Sequence, residues 1–327
     1  MAPAPRLDPA RASAIAGRFT GTTILVVGDL MLDRFLWGSV SRISPEAPVP
    51  VVRLERESES LGGAGNVAMN VVALGGRAIP VGVRGEDGDG ERLEGLCRAA
   101  GISVEGLVAA AGRPTTVKMR VVAHHQHVVR VDREENGTLD PKSSAAIRAR
   151  ASALLPRANA VILSDYDKGV ISEELLASLL PEAARRKVPI IVDPKARLFA
   201  HYRPATVVTP NAREAREAAG VGAGAADDLE GVGRRLLALL GCPYLLITRG
   251  DRGMLLLGGA AGPLAIPAAA REVFDVSGAG DTVVATLALA LASGATMEEA
   301  AILANQAAGV VVGKLGTATL TREELLG

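Results

Sequence analysis

The chain has 327 residues, room for one large α/β domain or two smaller ones. With 48% apolar residues it can fill a core, which excludes disorder, and 2% aromatics leave no interleaved stacking platform for nucleic acid. A formal net charge of +0 argues against a polyanionic or membrane-surface partner, while a local basic pocket stays open.

Residues 1–20 hold Pro and Arg but no apolar core, so they read as a short leading helix and not as a signal peptide. Ile24 to Val27 reads as a buried strand ending at Gly28-Asp29. Polar residues just past a strand's carboxyl end are where α/β ligand sites form, which marks Asp29 and Asp33. A loop or capping role would account for them as well. Leu36 to Glu57 has Trp37, a Pro-rich turn and Val49 to Leu54. Two short strands around such a turn do not fit a βαβ unit and read as a protruding hairpin, or lid. Gly62 and Gly63 then lead, with Asn66, into a helix. A dinucleotide fingerprint would need G-x-G-x-x-G directly after the first strand, and the hairpin intervenes.

Ala78 to Val83 is predicted as a strand, Gly88 to Ala100 as a helix and Ile102 to Val108 as a strand. Thr115 to Ala123 and His127 to Arg133 alternate as two further strands, a second piece of lid or sheet edge. Along the first, Lys118 and Arg120 share a face and Val117, Met119 and Val121 take the other; on the second, Arg130 and Asp132 share a face. Helices are expected over Pro141–Leu155, Ser172–Arg186, Ala212–Ala219, Asp227–Leu240, Thr282–Leu291 and Met297–Val312. Strands are expected over Ala160–Ser164, Val188–Val192, Thr206–Val208, Tyr244–Thr248 and Gly253–Leu257. This alternation predicts a mostly parallel sheet covered on both faces. The chain reads as one domain, 1–327, with lid segments at about 36–57 and 115–133. Cys97 and Cys242 lack metal or C-x-x-C spacing and fit the cytoplasm. The longest apolar helical run breaks at Ser293-Gly294, too short to span a bilayer.

Three stretches carry chemistry. Asp275-Val276-Ser277-Gly278-Ala279-Gly280-Asp281 feeds small residues straight into a helix, whose free N–H groups and dipole make an anion site. Asp281 in the first turn is either an N-terminal charge preference or a general base beside a phosphoryl group. Asn211-Ala212-Arg213-Glu214 opens a helix after a strand, and on spacing alone it is a capping box. Thr248-Arg249-Gly250-Asp251-Arg252-Gly253 joins two strands and on its own reads as a hairpin loop. Asn305 is a mid-helix Asn, which is somewhat unfavourable. No G-x-x-x-x-G-K-[ST] is present, so this is not a P-loop protein.

The D-x-x-G-A-G-D wording before an apolar helix resembles the signature of the ribokinase-like (PfkB) sugar kinases. Ser277 stands at a position where that family shows Thr or Ser, and Asp-Val-Ser displaces its usual Thr after the first Asp. The resemblance implies an α/β, doubly wound, mostly parallel sheet with helices on both faces and a small β lid. It implies ATP and Mg²⁺ as cofactors. Asp281 would be the base, and the Gly278, Ala279, Gly280 and Asp281 amides would hold the transferred phosphoryl group. Glu214 would organise the Mg²⁺ waters beside Asn211. Thr248, Arg249, Gly250 and Gly253 would follow the nucleotide phosphates and ribose, and Asn305 would line the adenine pocket.

Five further runs narrow the likeness: Gly28 to Arg34, Ser41 to Pro50 (S-R-I-S-P-E-A-P-V-P), Gly62 to Ala68, Ser164 to Gly169 and Val311 to Thr317. Together they resemble the branch of the family that phosphorylates D-glycero-D-manno-heptose 7-phosphate at the anomeric hydroxyl, the kinase half of the bifunctional enzyme of ADP-heptose synthesis. The expected chain is a stand-alone kinase or an isolated kinase portion, since no H-x-G-H motif follows. Asp29, Asp33, Gly62, Gly63 and Asn66 would hold sugar hydroxyls. A sugar phosphate needs cations of its own, and Lys118, Arg120 and Arg130 are expected near it, with Asp132 alongside and Lys195 near either phosphate. Paired lids in the family imply a homodimer. The alternatives are a kinase for another sugar or a non-catalytic sensor on the same fold.

Overall fold

The computed structural model describes residues 5–123, 126–221, 228–260, 262–270, 272–314 and 316–327. The expected leading residues 1–4, the helix start Asp227, and Leu315 of the last quoted run lie outside the described residues. Helix α1 (Pro9–Ala16) is capped by Asp8, which accepts from the Arg11 amide, and leads to strand β1 (Thr23–Gly28). In β1, Ile24 and Val26 pack on one side of the sheet and Leu25 and Val27 on the other. An unbroken apolar run of this kind belongs to a parallel strand covered twice.

Strands β2 (Leu30–Ile43) and β3 (Pro50–Gly63) form a long hairpin, followed by α2 (Ala64–Ala73), β4 (Arg77–Gly85), α3 (Gly88–Ala99) and β5 (Leu107–Ala110). A second hairpin joins β6 (Val117–Ala123) to β7 (Gln126–Arg133). Next come α4 (Pro141–Leu154), β8 (Ala160–Ser164), α5 (Glu173–Arg185), β9 (Ile190–Asp193), β10 (Val207–Val208), α6 (Ala212–Ala218) and α7 (Leu229–Leu240). The chain continues through β11 (Tyr244–Thr248), β12 (Met254–Gly258), β13 (Leu264–Ile266), α8 (Ala279–Ala292), α9 (Met297–Val311) and α10 (Arg322–Leu326).

The larger sheet has the order β13-β12-β11-β10-β9-β8-β1-β4-β5. Its strands are parallel from β11 to β5, and β12 and β13 add an antiparallel edge. Helices α1, α2, α3, α8, α9 and α10 bury side chains against one face, and α4, α5, α6 and α7 against the other. This is the doubly wound α/β class that the sequence predicts. The order reverses at β1, which has β4 on one side and β8 on the other. A crevice outside the carboxyl ends at such a switch point is where α/β sheets bind ligands. Asp29 follows β1 there, Asp165 and Tyr166 follow β8, and Asp193 ends β9. Helix α8 packs beside α2 and α9 and across β8 and β9.

The smaller sheet has the order β3-β2-β6-β7. Its register sets Asp33 opposite Ser60 and Lys118, and Phe35 opposite Ser58 and Arg120; Lys118 in turn faces Asp132, and Arg120 faces Arg130. One face therefore carries Asp33, Phe35, Lys118, Arg120, Arg130 and Asp132. Arg34 of β2 bridges to Glu59 and to Asp89 of α3, and Arg133 of β7 reaches Asp87 and Asp89, tying this sheet to the body.

Two expectations need correction. The first hairpin is longer than 36–57 because pairing is continuous down to Leu30↔Gly63. The strand expected at Ile102–Val108 begins only at Leu107. Ile102 donates to the Cys97 carbonyl and stays hooked to the end of α3, while Gly106 makes the close approach to β4 that starts the strand: a β-carbon there would lie 2.2 Å from the Pro80 carbonyl oxygen. Strand β13 and helix α10 are additional elements, each too short to show a periodic pattern.

Candidate active site

Helix α8 follows Gly278, whose φ of 78° is left-handed and which provides no side-chain cap. A β-carbon at Gly278 would lie 2.6 Å from Asn66 Nδ2, so only glycine lets the helix start this close to α2. At Gly280 a β-carbon would meet nothing within 4 Å, so the first turn borders open space. The Ala279 amide donates to the Val276 carbonyl at 3.2 Å, which closes the preceding turn.

Asp281 sits in that first turn, buried. Asn66 Nδ2 donates to its Oδ2 at 2.7 Å and the Tyr166 hydroxyl to its Oδ1 at 2.8 Å. Asn66 is held from behind: its carbonyl accepts from Asn70 Nδ2, and Asn70 Oδ1 accepts from the Thr282 hydroxyl. Burial pushes the Asp281 carboxyl up to about 6, against the lowering effect of the Asn66 and Tyr166 bonds; the Asp33 charge adds to the rise and Lys195 opposes it. A carboxylate with a pKa there is a usable base at neutral pH.

A second acidic group lies beside it. Asn211 caps α6 by accepting from the Arg213 and Glu214 amides, and Glu214 Oε2 accepts from the Asn211 amide. The capping box read from the sequence is therefore built. The other oxygen, Glu214 Oε1, pairs with Lys195 Nζ at 2.5 Å, and Lys195 Nζ stands 5.7 Å from the centre of the Tyr166 ring. Burial, and after it the Asp281 and Glu214 charges, push Asp193 well above the usual carboxylate range. Carboxylates crowded round one lysine are short of positive charge. Among the described residues no three His, Cys, Asp or Glu side chains form a metal cage. Hard oxygen donors short of positive charge fit magnesium, which keeps several waters and takes few protein ligands.

On the far side of Gly280 lies a cleft of about 280 Å³, lined mostly by apolar groups, with Thr248, Gly250, Gly253, Val276, Gly280 and Asn305 on its wall. Asn305 Nδ2 donates to the Pro267 carbonyl at 2.8 Å, pinning α9 to the segment after β13. Gly253, with φ 77°, lies where a β-carbon would be 2.1 Å from the Ile266 carbonyl oxygen. Arg249 turns away: its Nη2 donates to the carbonyls of Arg252 and Met254 and closes its own loop. Neither Arg249 nor Asn211 lines the cleft.

On the other side stands the smaller sheet. Asp33 Oδ1 accepts from Arg120 Nη1 at 2.5 Å, and the Arg120 guanidinium lies 5.2 Å from the Phe35 ring centre. A β-carbon on Gly62 would be 2.5 Å from Asp33 Oδ2, and one on Gly63 would be 2.4 Å from the Asp29 carbonyl oxygen. Both glycines thus allow β3 to close over the two aspartates. Lys118 is half-buried and, among the described residues, forms no ion pair. Arg130 is exposed and chelates Asp132 through Nε and Nη2. The Asp29 carboxylate accepts three backbone N–H groups, from Tyr166, Lys168 and Val170, and so clasps the loop after β8.

The chain matches the family described as pfkB family carbohydrate kinase over residues 22–324. It belongs to that family. It is 50% identical over 311 residues to bifunctional protein HldE of Caulobacter sp. strain K31, covering 94% of this chain and 63% of that protein. The protein of the same name from Gluconacetobacter diazotrophicus is 47% identical over 308 residues, covering 94% and 64%. The chain thus spans just under two thirds of the length of the curated relatives it matches. Among solved structures, phosphofructokinase-2 from Escherichia coli in complex with potassium superposes with a TM-score of 0.77 at 20% identity, over 93% of this chain and 96% of that one. Ribokinase from Arabidopsis thaliana complexed with ribose and ATP gives 0.71 at 19% identity, over 94% and 98%. These two establish the fold as ribokinase-like.

Two residues of this carbohydrate kinase's candidate site are absent from the sequence-based set. Tyr166 lies inside the Ser164 to Gly169 run, where it served only as a mark of likeness, and Asp193 ends a strand. The rule that polar residues gather at carboxyl strand ends, which marked Asp29, applied to both.

Proposed function

We propose that this kinase transfers the γ-phosphoryl group of ATP to the anomeric hydroxyl of D-glycero-D-manno-heptose 7-phosphate, giving the 1,7-bisphosphate and ADP for ADP-heptose synthesis in the cytoplasm. The observation that carries this reading is the buried Asp281 at an uncapped helix start, between an apolar cleft and a sheet face bearing Asp33, Lys118 and Arg120. The S-R-I-S-P-E-A-P-V-P run and the identity to relatives named HldE support the choice of sugar.

In this reading the base of an adenine enters the apolar cleft by Asn305, and the phosphates run past Thr248, Gly250 and Gly253 to the start of α8. The Gly280 and Asp281 amides, with Ala279 if its turn relaxes, receive the charge that develops on the transferred group. Asp281 takes the proton from the sugar hydroxyl as the oxygen–phosphorus bond forms and the bond to the departing ADP oxygen breaks. Asp33 and Asn66 orient the sugar hydroxyls. Lys118 and Arg120 bind the 7-phosphate, with Arg130 and Asp132 at the rim of the same face. Mg²⁺ held at Glu214 would neutralise nucleotide phosphate charge, the chemistry a dication supplies in such transfers. Lys195, released from Glu214, would then meet a phosphate.

Glu214→Gln keeps an oxygen for the Asn211 amide but loses the charge that faces Lys195. We expect the Mg²⁺ concentration for half-maximal rate to rise several-fold with the fold intact. A magnesium titration that superposes on that of the unmodified protein would leave Glu214 as a cap alone.

The kinase acts, in this proposal, as one domain whose smaller sheet is a lid, and two lids pair in a homodimer. Ile43, Val49, Leu54, Val129 and Val131 are exposed on the lid strands and on the turn between β2 and β3, on a sheet too thin to bury them. Light scattering at micromolar concentration should give twice the chain mass; an active monomer would contradict the pairing. The choice of sugar is tested by ADP release over a panel of sugars and sugar phosphates. The proposal requires heptose 7-phosphate to give the highest kcat/KM, and a better hexose or pentose phosphate would move the kinase to another substrate.

A further inference from the structure

We propose that Tyr166 is a positioning residue for phosphoryl transfer, its hydroxyl holding the Asp281 carboxylate in the orientation that accepts the sugar proton. The inference rests on reading Asp281 as the base. Each Asp281 oxygen has one donor, Asn66 on Oδ2 and Tyr166 on Oδ1, and a carboxylate oxygen can accept more than one bond. Two donors from opposite sides fix the plane of the carboxylate and leave acceptor capacity for a third proton, that of the sugar.

The placement of Tyr166 is itself built. Its amide donates to Asp29 Oδ2 at 2.9 Å, and the Lys168 and Val170 amides complete the clasp on the same carboxylate. This gives the buried Asp29 its function: it holds the loop that carries the phenol. Next to Tyr166, Asp165 accepts from the Asp167 amide and from the Tyr202 hydroxyl, which fixes the strand end. Lys195 covers the Tyr166 ring. Burial, and after it the Asp281 charge, keep the phenol protonated far above neutral pH, so it acts only as a donor and keeps its own proton through the reaction. The charged groups facing Asp281 are Asp33 from β2, Asp193 at the end of β9 and Lys195 after it. None of these is a hydrogen-bond partner of Asp281, so Tyr166 can be removed without detaching them.

Tyr166→Phe keeps the ring, its packing and the contact with Lys195, and deletes only the donor. Losing a hydrogen bond to the ionised form should raise the Asp281 pKa by about 1–2 units. The acid limb of kcat against pH should rise by the same amount, while KM for ATP stays unchanged. The carboxyl is also read without any sugar, by ¹³C NMR of protein labelled in aspartate, with the resonance assigned by its loss in Asp281→Asn. A rise in both the carboxyl titration and the acid limb supports the positioning role. If neither moves, Tyr166 only packs and the inference is overturned. If the carboxyl titration rises and the acid limb stays, Asp281 is not the base, and the reading beneath the inference fails together with it.

Discussion

Asp281→Asn is expected to lower kcat by roughly 10²–10⁴, the range for loss of a general base, with the ATP dissociation constant nearly unchanged. The neutral amide cannot take the sugar proton, yet it fits the same space. The pH dependence has a definite sign. The Asp281 carboxyl is raised to about 6 in the folded protein, chiefly by burial, so its ionised form is disfavoured by folding. That cost is fully present above pH 6 and is relieved as pH falls from about 6 towards the unfolded value near 4. Catalysis runs the opposite way: the base is ionised above about pH 6, and kcat should fall tenfold per unit below it. The Asn variant should lose this limb and, having no buried charge, should melt no lower than the unmodified kinase at pH 8. Single-turnover rates and thermal melts across pH 5–8 check both statements. Near-normal turnover in the variant would remove Asp281 from the mechanism.

Arg120→Ala is expected to raise KM for heptose 7-phosphate by about 10–150-fold, the equivalent of about 1.5–3 kcal/mol for a lost charged hydrogen bond, and to leave KM for ATP alone. Arg120 also holds the buried Asp33, so the change strands a carboxylate that would orient a sugar hydroxyl. Truncating one partner of a largely buried pair destabilises by about 3 kcal/mol. Arg120→Lys separates the two effects, because it keeps a charge for Asp33 but not the planar fork that a phosphate prefers. Steady-state kinetics with each substrate varied in turn decide the matter. An equal rise in both KM values would mean a general loss of lid placement and no phosphate pocket.

The parts of the fold that were legible before the structure are those whose side chains repeat with a period. The run Ile24 to Val27 is apolar on both faces of its strand, and β8 matches its expected bounds for the same reason. β13 and α10 are too short for any period to accumulate. In the site, what sequence could reach was position along the chain, not the aim of a side chain. The place of Asp281 was legible because a helix start fixes where its first-turn residues stand. The place of Asp29 after a strand was legible too, but nothing in its neighbours announces that three amides from a loop more than a hundred residues later close on it. The Glu214 capping box was plain from N-x-x-E, whereas its bond to Lys195 joins the first turn of α6 to the segment after β9 and has no local signature. Lys118 and Arg120 share a face by simple alternation, but the parallel pairing of β2 with β6 that brings Asp33 to Arg120 depends on the whole small sheet.

The most direct test of the central claim is the chemical identity of the product. The kinase, ATP, Mg²⁺ and D-glycero-D-manno-heptose 7-phosphate are followed by ³¹P NMR, with unphosphorylated heptose in parallel. The account predicts one new sugar phosphate resonance, coupled to the anomeric proton, growing in step with ADP, and little reaction of the unphosphorylated sugar. A new phosphate on any other carbon, or equal use of the two sugars, would contradict it.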